Sequence, residues 1–187
     1  MCIDLIKKKI NELLEKQENV VIAIDGMCAS GKTTLSKKLE EVFDANVIHC
    51  DDFYLPLNKR TEERLKEPGG NIDYERLKEE VINNLDKDFK YQVFSCKTMT
   101  YGKIIDLQHK KVTIIEGAYS MHPFLDKYYD LSIFIEIEKT LQEHRILKRN
   151  GKEKINDFNE KWIPLEYRYF KYYKIKDKCD LKLYIIE

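Results

Sequence analysis

Residues 20–33 read VVIAIDGMCASGKT. The opening VVIAID is a continuous apolar run rich in β-branched residues, which is how a strand buried on both faces reads. Gly26 to Gly31 then form a glycine-bounded turn, and Thr33 to Val42 carries helical spacing. Strand, tight turn, helix is the repeating unit of a parallel sheet layered with helices, so this stretch sets the fold class.

The same unit recurs outward from it. NVIHC (46–50), KVTIIEG (111–117) and LSIFIEI (131–137) are three more buried-strand runs, and LKLYII (181–186) predicts a terminal strand. Before the first strand, Ile3, Ile6, Ile10, Leu13 and Leu14 predict an amphipathic helix over 3–17. EPGG (67–70) is a turn, and Asp73 caps a helix carrying Leu77, Val81, Ile82 and Leu85. Residues 90–106 predict short strands or a hairpin. A basic helix from about 140 to 150 is closed by Gly151, and an aromatic helical stretch over 157–174 is interrupted near Pro164. Alternating strands and helices predict an α/β fold with a parallel sheet and helices on both faces. No repeat or low-complexity linker divides the chain, so 1–187 is expected to be a single domain.

Lys and Arg number 33, as do Asp and Glu, giving zero formal charge. Such a balance provides no global field for nucleic acid or an anionic membrane, so neither partner is expected and any anion site must be local. No stretch approaches the roughly 18 apolar residues of a membrane span, and MCIDLIKKKI has no apolar block of signal-peptide length. Cys2, Cys28, Cys50, Cys96 and Cys179 show no metal-clip spacing and are odd in number, which predicts a reduced cytoplasmic protein.

In parallel sheets ligands bind beyond the carboxyl ends of the strands. Asp25-Gly26, Asp51-Asp52 and Glu116-Gly117 each follow a predicted strand, so three acids and the glycine turn are expected on one sheet edge. GMCASGKT (26–33) fits G-x-x-x-x-G-K-[ST], the P-loop pattern, in which glycines let backbone N–H groups turn inward around an anion. A nucleoside triphosphate is the expected ligand, held by Gly26, Cys28, Ala29, Ser30, Gly31, Lys32, Thr33 and Thr34; the loop alone does not separate a kinase from an ATPase, a GTPase or a nucleotide sensor. Lys32 would reach the β- and γ-phosphates and Thr33 would offer its hydroxyl to Mg²⁺. Glu116 and Asp51 are the carboxylates suited to that ion, which prefers hard oxygen ligands. No guanine-reading Asn-Lys-x-Asp is present. For a second substrate, Asp51, Tyr54, Tyr91 and the basic-helix pair Arg145 and Arg149 are candidates. His49 is expected to pack in the core, His122 to sit in a loop near the site, and Trp162, Tyr167, Tyr169, Phe170, Tyr172 and Tyr173 to be core aromatics.

DGMCASGKTTLSKKL, HCDDFYLP, EPGGNIDYERL, VTIIEGAYSMHP, RILKRNG and WIPLEYRYF together resemble the uridine kinase-like P-loop kinases. The likeness is greatest to a short bacterial uridine kinase-type branch, and it runs from about residue 20 to 183. The resemblance implies a parallel sheet of about five strands flanked by helices, with a helical lid at about 140–156. It implies ATP on the loop 26–33, Asp51 as general base on a ribose 5′-hydroxyl, Tyr54 on the nucleoside side and Tyr91 near the base. Glu116 would support magnesium, and Arg145 and Arg149 would lie in the lid. Three places depart from the family, one being the lid's R-x-x-R-D, which reads Arg145-Ile-Leu-Lys148-Arg149 here. Cys96 stands where the family has a histidine of the base pocket, and Glu67 where it has the ribose-binding aspartate. A thiol is a weak partner for a pyrimidine edge. The acceptor therefore stays open between a nucleoside such as uridine or cytidine and another alcohol, for example pantothenate, nicotinamide riboside or a sugar phosphate. A non-catalytic ATP-binding regulatory module is a further reading, and a homo-oligomer is left open.

Overall fold

The apolar runs become the strands of a five-stranded parallel sheet in the computed structural model, which describes residues 2–186, the side chain of Cys2 excepted. In chain order the strands are β1 (Val20–Gly26), β2 (Asn46–His49), β5 (Val112–Glu116), β6 (Leu131–Ile137) and β7 (Leu181–Ile185), and they lie side by side as β2-β5-β1-β6-β7. The hairpin expected over 90–106 is β3 (Phe89–Ser95) and β4 (Thr100–Leu107), an antiparallel pair apart from the main sheet.

Register decides which residues meet at the carboxyl edge. Ile24 of β1 pairs with Glu116 of β5, and Glu116 with His49 of β2. β2 and β5 therefore end level, and β1 runs two residues farther, to Gly26. Period-2 alternation sends β1 side chains to two separate cores. Ile22 and Ile24 join Ile114, Ile133 and Leu39 on one face, beneath α1 (Cys2–Leu14) and α2 (Lys32–Phe43). Ala23 joins Ile115, Phe134, Phe53 and Tyr169 on the other.

That second face is covered by the hairpin, by α4 (Tyr74–Glu80) and by the C-terminal helices, while α3 (Glu62–Lys66) contributes no buried residue. Asp73 caps α4 by accepting the Arg76 N–H, as its position predicts. Helix α4 stops at Glu80, so Ile82 belongs to a 3₁₀ turn rather than to a continuous helix. Arg76 fastens the hairpin to the turn after β2: it donates to the Gln92 and Asp52 carbonyls at 2.7 and 2.8 Å and lies 4.3 Å over the Phe53 ring.

The basic segment is α5 (Lys139–Asn150), ended by Gly151 at φ 83, with α6 (Lys152–Asp157) following. The interruption in the aromatic stretch is a π turn at Phe158–Trp162. Pro164 then opens α7 (Ile163–Tyr173), a position where its missing N–H is no loss. The short α8 (Ile175–Lys178) leads into β7. Among the described residues no helix is long and apolar enough to cross a membrane.

Candidate active site

The turn 26–33 emerges from the central strand and runs into α2. Gly26, at φ 140, passes so close to β6 that a Cβ would lie 2.1 Å from the Ile135 carbonyl oxygen. Ala29 at φ 58 and Gly31 at φ 103 put two left-handed residues into the turn, the kind of backbone that forms an anion nest. The first-turn amides of α2 have no partner within the helix, and the helix places its positive end at the same point. Ser30 Oγ, buried in the turn, has no hydrogen-bond partner among the described residues. A left-handed turn, a helix N-terminus and an orphaned hydroxyl fit a polyphosphate.

Lys32 is buried and donates to the Gly26 and Met27 carbonyls at 2.7 and 2.9 Å. Thr33 Oγ1 donates to Glu116 Oε1 at 2.9 Å, and His49 Nδ1 lies 2.6 Å from the same oxygen. That contact holds the His49 imidazole above its ordinary pKa. The hydroxyl and carboxylate pair supplies hard oxygens of the kind magnesium takes, and magnesium needs few protein ligands because it keeps several waters. The residues present therefore fit the ion.

Lys32, Thr33, His49, Asp51 and Glu116 line one cavity of about 930 Å³, and Tyr54, Arg145 and Arg149 line it too. Asp51 opens onto it, and no side chain or backbone group of the described residues hydrogen-bonds its carboxyl. Enclosure by the cavity walls raises the Asp51 pKa; Lys32 opposes this and Glu116 adds to it. Arg145 donates to the Ala29 carbonyl at 3.2 Å, Arg149 lies 5.8 Å over the Phe158 ring, and both line the cavity.

No family model matches the chain. Over 136 residues it is 25% identical to the uridine-cytidine kinase C of Dictyostelium discoideum, covering 70% of this chain and 30% of that one. It is 25% identical over 154 residues to the uridine kinase of Oceanobacillus iheyensis (75% and 72% covered). It is 29% identical over 151 residues to the dephospho-CoA kinase of Fusobacterium nucleatum (73% and 75% covered). A solved structure described as a possible uridine kinase from Bacillus stearothermophilus superposes with a TM-score of 0.64 at 19% identity, over 95% of this chain and 98% of that one. The chain is similar to uridine kinase-like P-loop kinases in sequence and shares their fold. It spans under a third of the Dictyostelium relative and about 70% of the bacterial uridine kinases.

Against the expectations for such a kinase, the cavity gathers Asp51, Tyr54 and Glu116 with the loop but leaves three residues outside. Tyr91 is buried beneath it, stacked on Phe53 at 5.1 Å and donating to Asp52 Oδ2 at 3.0 Å. Glu67 accepts the Tyr74 hydroxyl at 2.9 Å and lies 3.3 Å from His122 Nε2. Cys96 is exposed where β3 ends. His122 is a buried loop residue stacked 4.2 Å from Tyr74, and burial pushes its pKa down to about 4.

Three expectations are corrected. His49 is not a core residue. Strand β2 is an edge strand, and alternation along it turns Ile48 inward and His49 toward Glu116 and the cavity. Asp25 does not join the cleft. It is fully buried and accepts from Gly26 N–H (2.7 Å), Tyr169 O–H (2.9 Å) and Met121 N–H (3.1 Å), so it pins the loops while burial raises its pKa to about 6. Of the C-terminal aromatics, Tyr169 and Phe170 are core, Tyr167 and Tyr172 are exposed, and Trp162 lines the cavity. Only residues on one side of α7 face the sheet.

Sequence reasoning missed Glu166 and Tyr119. Glu166, buried on α7, accepts the Cys28 N–H of the loop at 2.8 Å. Its spacing of three and four from Tyr169 and Phe170 marks the same buried helix face, a signal that could have found it. Beside this carboxylate, burial pushes the Cys28 thiol up to about 12. Tyr119 carried no local signal.

Proposed function

We propose that this chain transfers the terminal phosphoryl group of ATP, with magnesium, to the primary hydroxyl of a small molecule, foremost the 5′-hydroxyl of a nucleoside such as uridine or cytidine. The observation that carries the reading is the Asp51 carboxyl, which no described residue hydrogen-bonds and which lines the cavity that Lys32, Thr33 and Glu116 also line. Asp51 would take the acceptor proton, and its raised pKa moves it toward the range of a general base at neutral pH. Lys32 would exchange its carbonyl partners for phosphate oxygens. Arg145 and Arg149 would bring positive charge to the group in transfer. Tyr54 would line the acceptor side. Thr33 and Glu116 would hold magnesium, which supplies charge neutralisation at the phosphates when bound.

A second acceptor class, another primary alcohol, is supported by the positions of Glu67, Tyr91 and Cys96 outside the cavity. The balanced charge supports the absence of nucleic-acid and membrane partners. Free Cys28, Cys50, Cys96 and Cys179 support a cytoplasmic setting. The test is ADP release with ATP and Mg²⁺ across uridine, cytidine, other nucleosides, pantothenate, nicotinamide riboside and sugar phosphates. Uridine or cytidine is expected to turn over fastest. A clear winner outside the nucleosides overturns the acceptor, and ATP binding with no transfer to any alcohol favours a regulatory module.

A further inference from the structure

Tyr119 has no part in the reaction described so far, yet the fold takes unusual care of it. It sits two residues past Gly117, is 3% exposed and holds φ at 73, a left-handed conformation that a bulky side chain seldom adopts. The turn that imposes this conformation is fastened from several sides. Met121 N–H donates to buried Asp25 at 3.1 Å, Ser120 N–H to the Gly117 carbonyl at 3.3 Å, and His122 N–H to the Tyr119 carbonyl at 3.1 Å. The phenol ring meets Tyr169 edge-on at 4.9 Å, and Gly69 makes room for it: a Cβ there would lie 3.3 Å from the ring.

All of this positions a hydroxyl that is itself unsatisfied. Tyr119 Oη is buried with no hydrogen-bond partner among the described residues. Such groups are uncommon in folded proteins, because the lost hydration goes unreplaced. Strain and an orphaned donor together at a cavity wall run from observation to function. The residue lines the cavity that holds Lys32 and Thr33. Three carboxyl groups act on it electrostatically: Glu166, which caps the loop amide of Cys28; Asp25 beneath; and Asp51, the candidate base. Burial and those carboxylates keep the phenol protonated, hence a neutral donor. What it lacks is an acceptor oxygen.

We propose that Tyr119 is a substrate-contacting residue whose phenol O–H donates to a non-bridging oxygen of the terminal phosphoryl group of a nucleoside triphosphate held by the loop. The proposal deepens the kinase reading and rests on the loop being a triphosphate site. It assigns Tyr119 a specificity role: a neutral donor that distinguishes triphosphate from diphosphate.

Tyr119→Phe removes only the oxygen and keeps the ring packing on Tyr169. With no protein partner to lose, its melting temperature is expected to equal or slightly exceed that of the wild type. By calorimetry, affinity for a non-hydrolysable ATP analogue with Mg²⁺ is expected to fall about tenfold, the size of a hydrogen bond to a charged group, with affinity for ADP unchanged. Turnover with the best acceptor is expected to fall by a similar factor at unchanged acceptor KM. No loss for either nucleotide, an equal loss for both, or a lowered melting temperature overturns the proposal. If the variant behaves as expected toward the two nucleotides while the wild type phosphorylates no alcohol, the kinase reading fails and the Tyr119 contact stands. If the wild type turns over and the variant matches it in every measure, the reverse holds.

Discussion

Glu166 of α7 accepts the backbone N–H of Cys28 at 2.8 Å, so a helix 138 residues farther along the chain fastens the phosphate loop with a buried carboxylate. The arrangement has a pH signature. Burial raises the Glu166 pKa from 4.5 to about 7, with the Lys32 charge opposing. A carboxyl raised in the folded state penalises its ionised form. That penalty is absent below the unfolded pKa, grows as pH rises, and is complete above the folded value. At 1.36 kcal/mol per pKa unit it is on the order of 3 kcal/mol. Glu166→Gln keeps an oxygen for the Cys28 N–H without the charge. It is expected to raise the melting temperature at pH 8 and to lose that advantage by pH 5. Thermal melts across this window check it, and an unchanged difference at the two pH values would count against the assignment.

The Thr33–Glu116 hydrogen bond at 2.9 Å marks the expected magnesium position. Glu116→Gln preserves the shape and weakens the hard-oxygen donor. The Mg²⁺ concentration for half-maximal turnover is expected to rise about tenfold or more, the range seen when groups supporting a metal site are altered. A magnesium titration at fixed ATP reads this. An unaltered requirement would move the ion elsewhere.

Two glycines separate backbone geometry from chemistry. At Gly26 a Cβ would lie 2.1 Å from the Ile135 carbonyl oxygen at φ 140, so neither the loop nor β6 can yield cheaply. Gly26→Ala is expected to lose more than about 4 kcal/mol, at the upper end for single substitutions. At Gly102, in the hairpin, the nearest atom would be 3.8 Å away, the Val93 carbonyl oxygen. Gly102→Ala is expected to stay within about 1 kcal/mol of the wild type. Denaturant midpoints of the two variants decide the matter.

The central strands β1, β5 and β6 were legible because parallel strands buried on both faces read as unbroken apolar runs, and each strand of the main sheet falls within a residue or two of its predicted run. The loop was legible because its chemistry needs fixed residues at fixed spacing. His49 was misread because a strand run does not say whether the strand is central or at the edge. Tyr91 and Glu67 were drawn toward the cavity by resemblance, but their hydroxyl and carboxyl are bound by Asp52 and Tyr74, partners 39 and 7 residues away. Tyr119 is harder still. Its backbone is set by a turn tied to Asp25 across 96 residues, and no local pattern encodes that.

The central claim is that Asp51 directs phosphoryl transfer to a carbon-bound hydroxyl. Phosphorus NMR of the protein with ATP, Mg²⁺ and uridine tests it most directly. The wild type is expected to convert the γ-phosphate resonance into that of a phosphomonoester coupled to the 5′-methylene protons. Asp51→Asn, whose melting temperature at neutral pH should be no lower than the wild type's because the raised pKa of Asp51 penalises its ionised form in the fold, is expected to slow this by about a hundredfold or more. Inorganic phosphate as the sole product, or equal rates for the two proteins, would contradict the account.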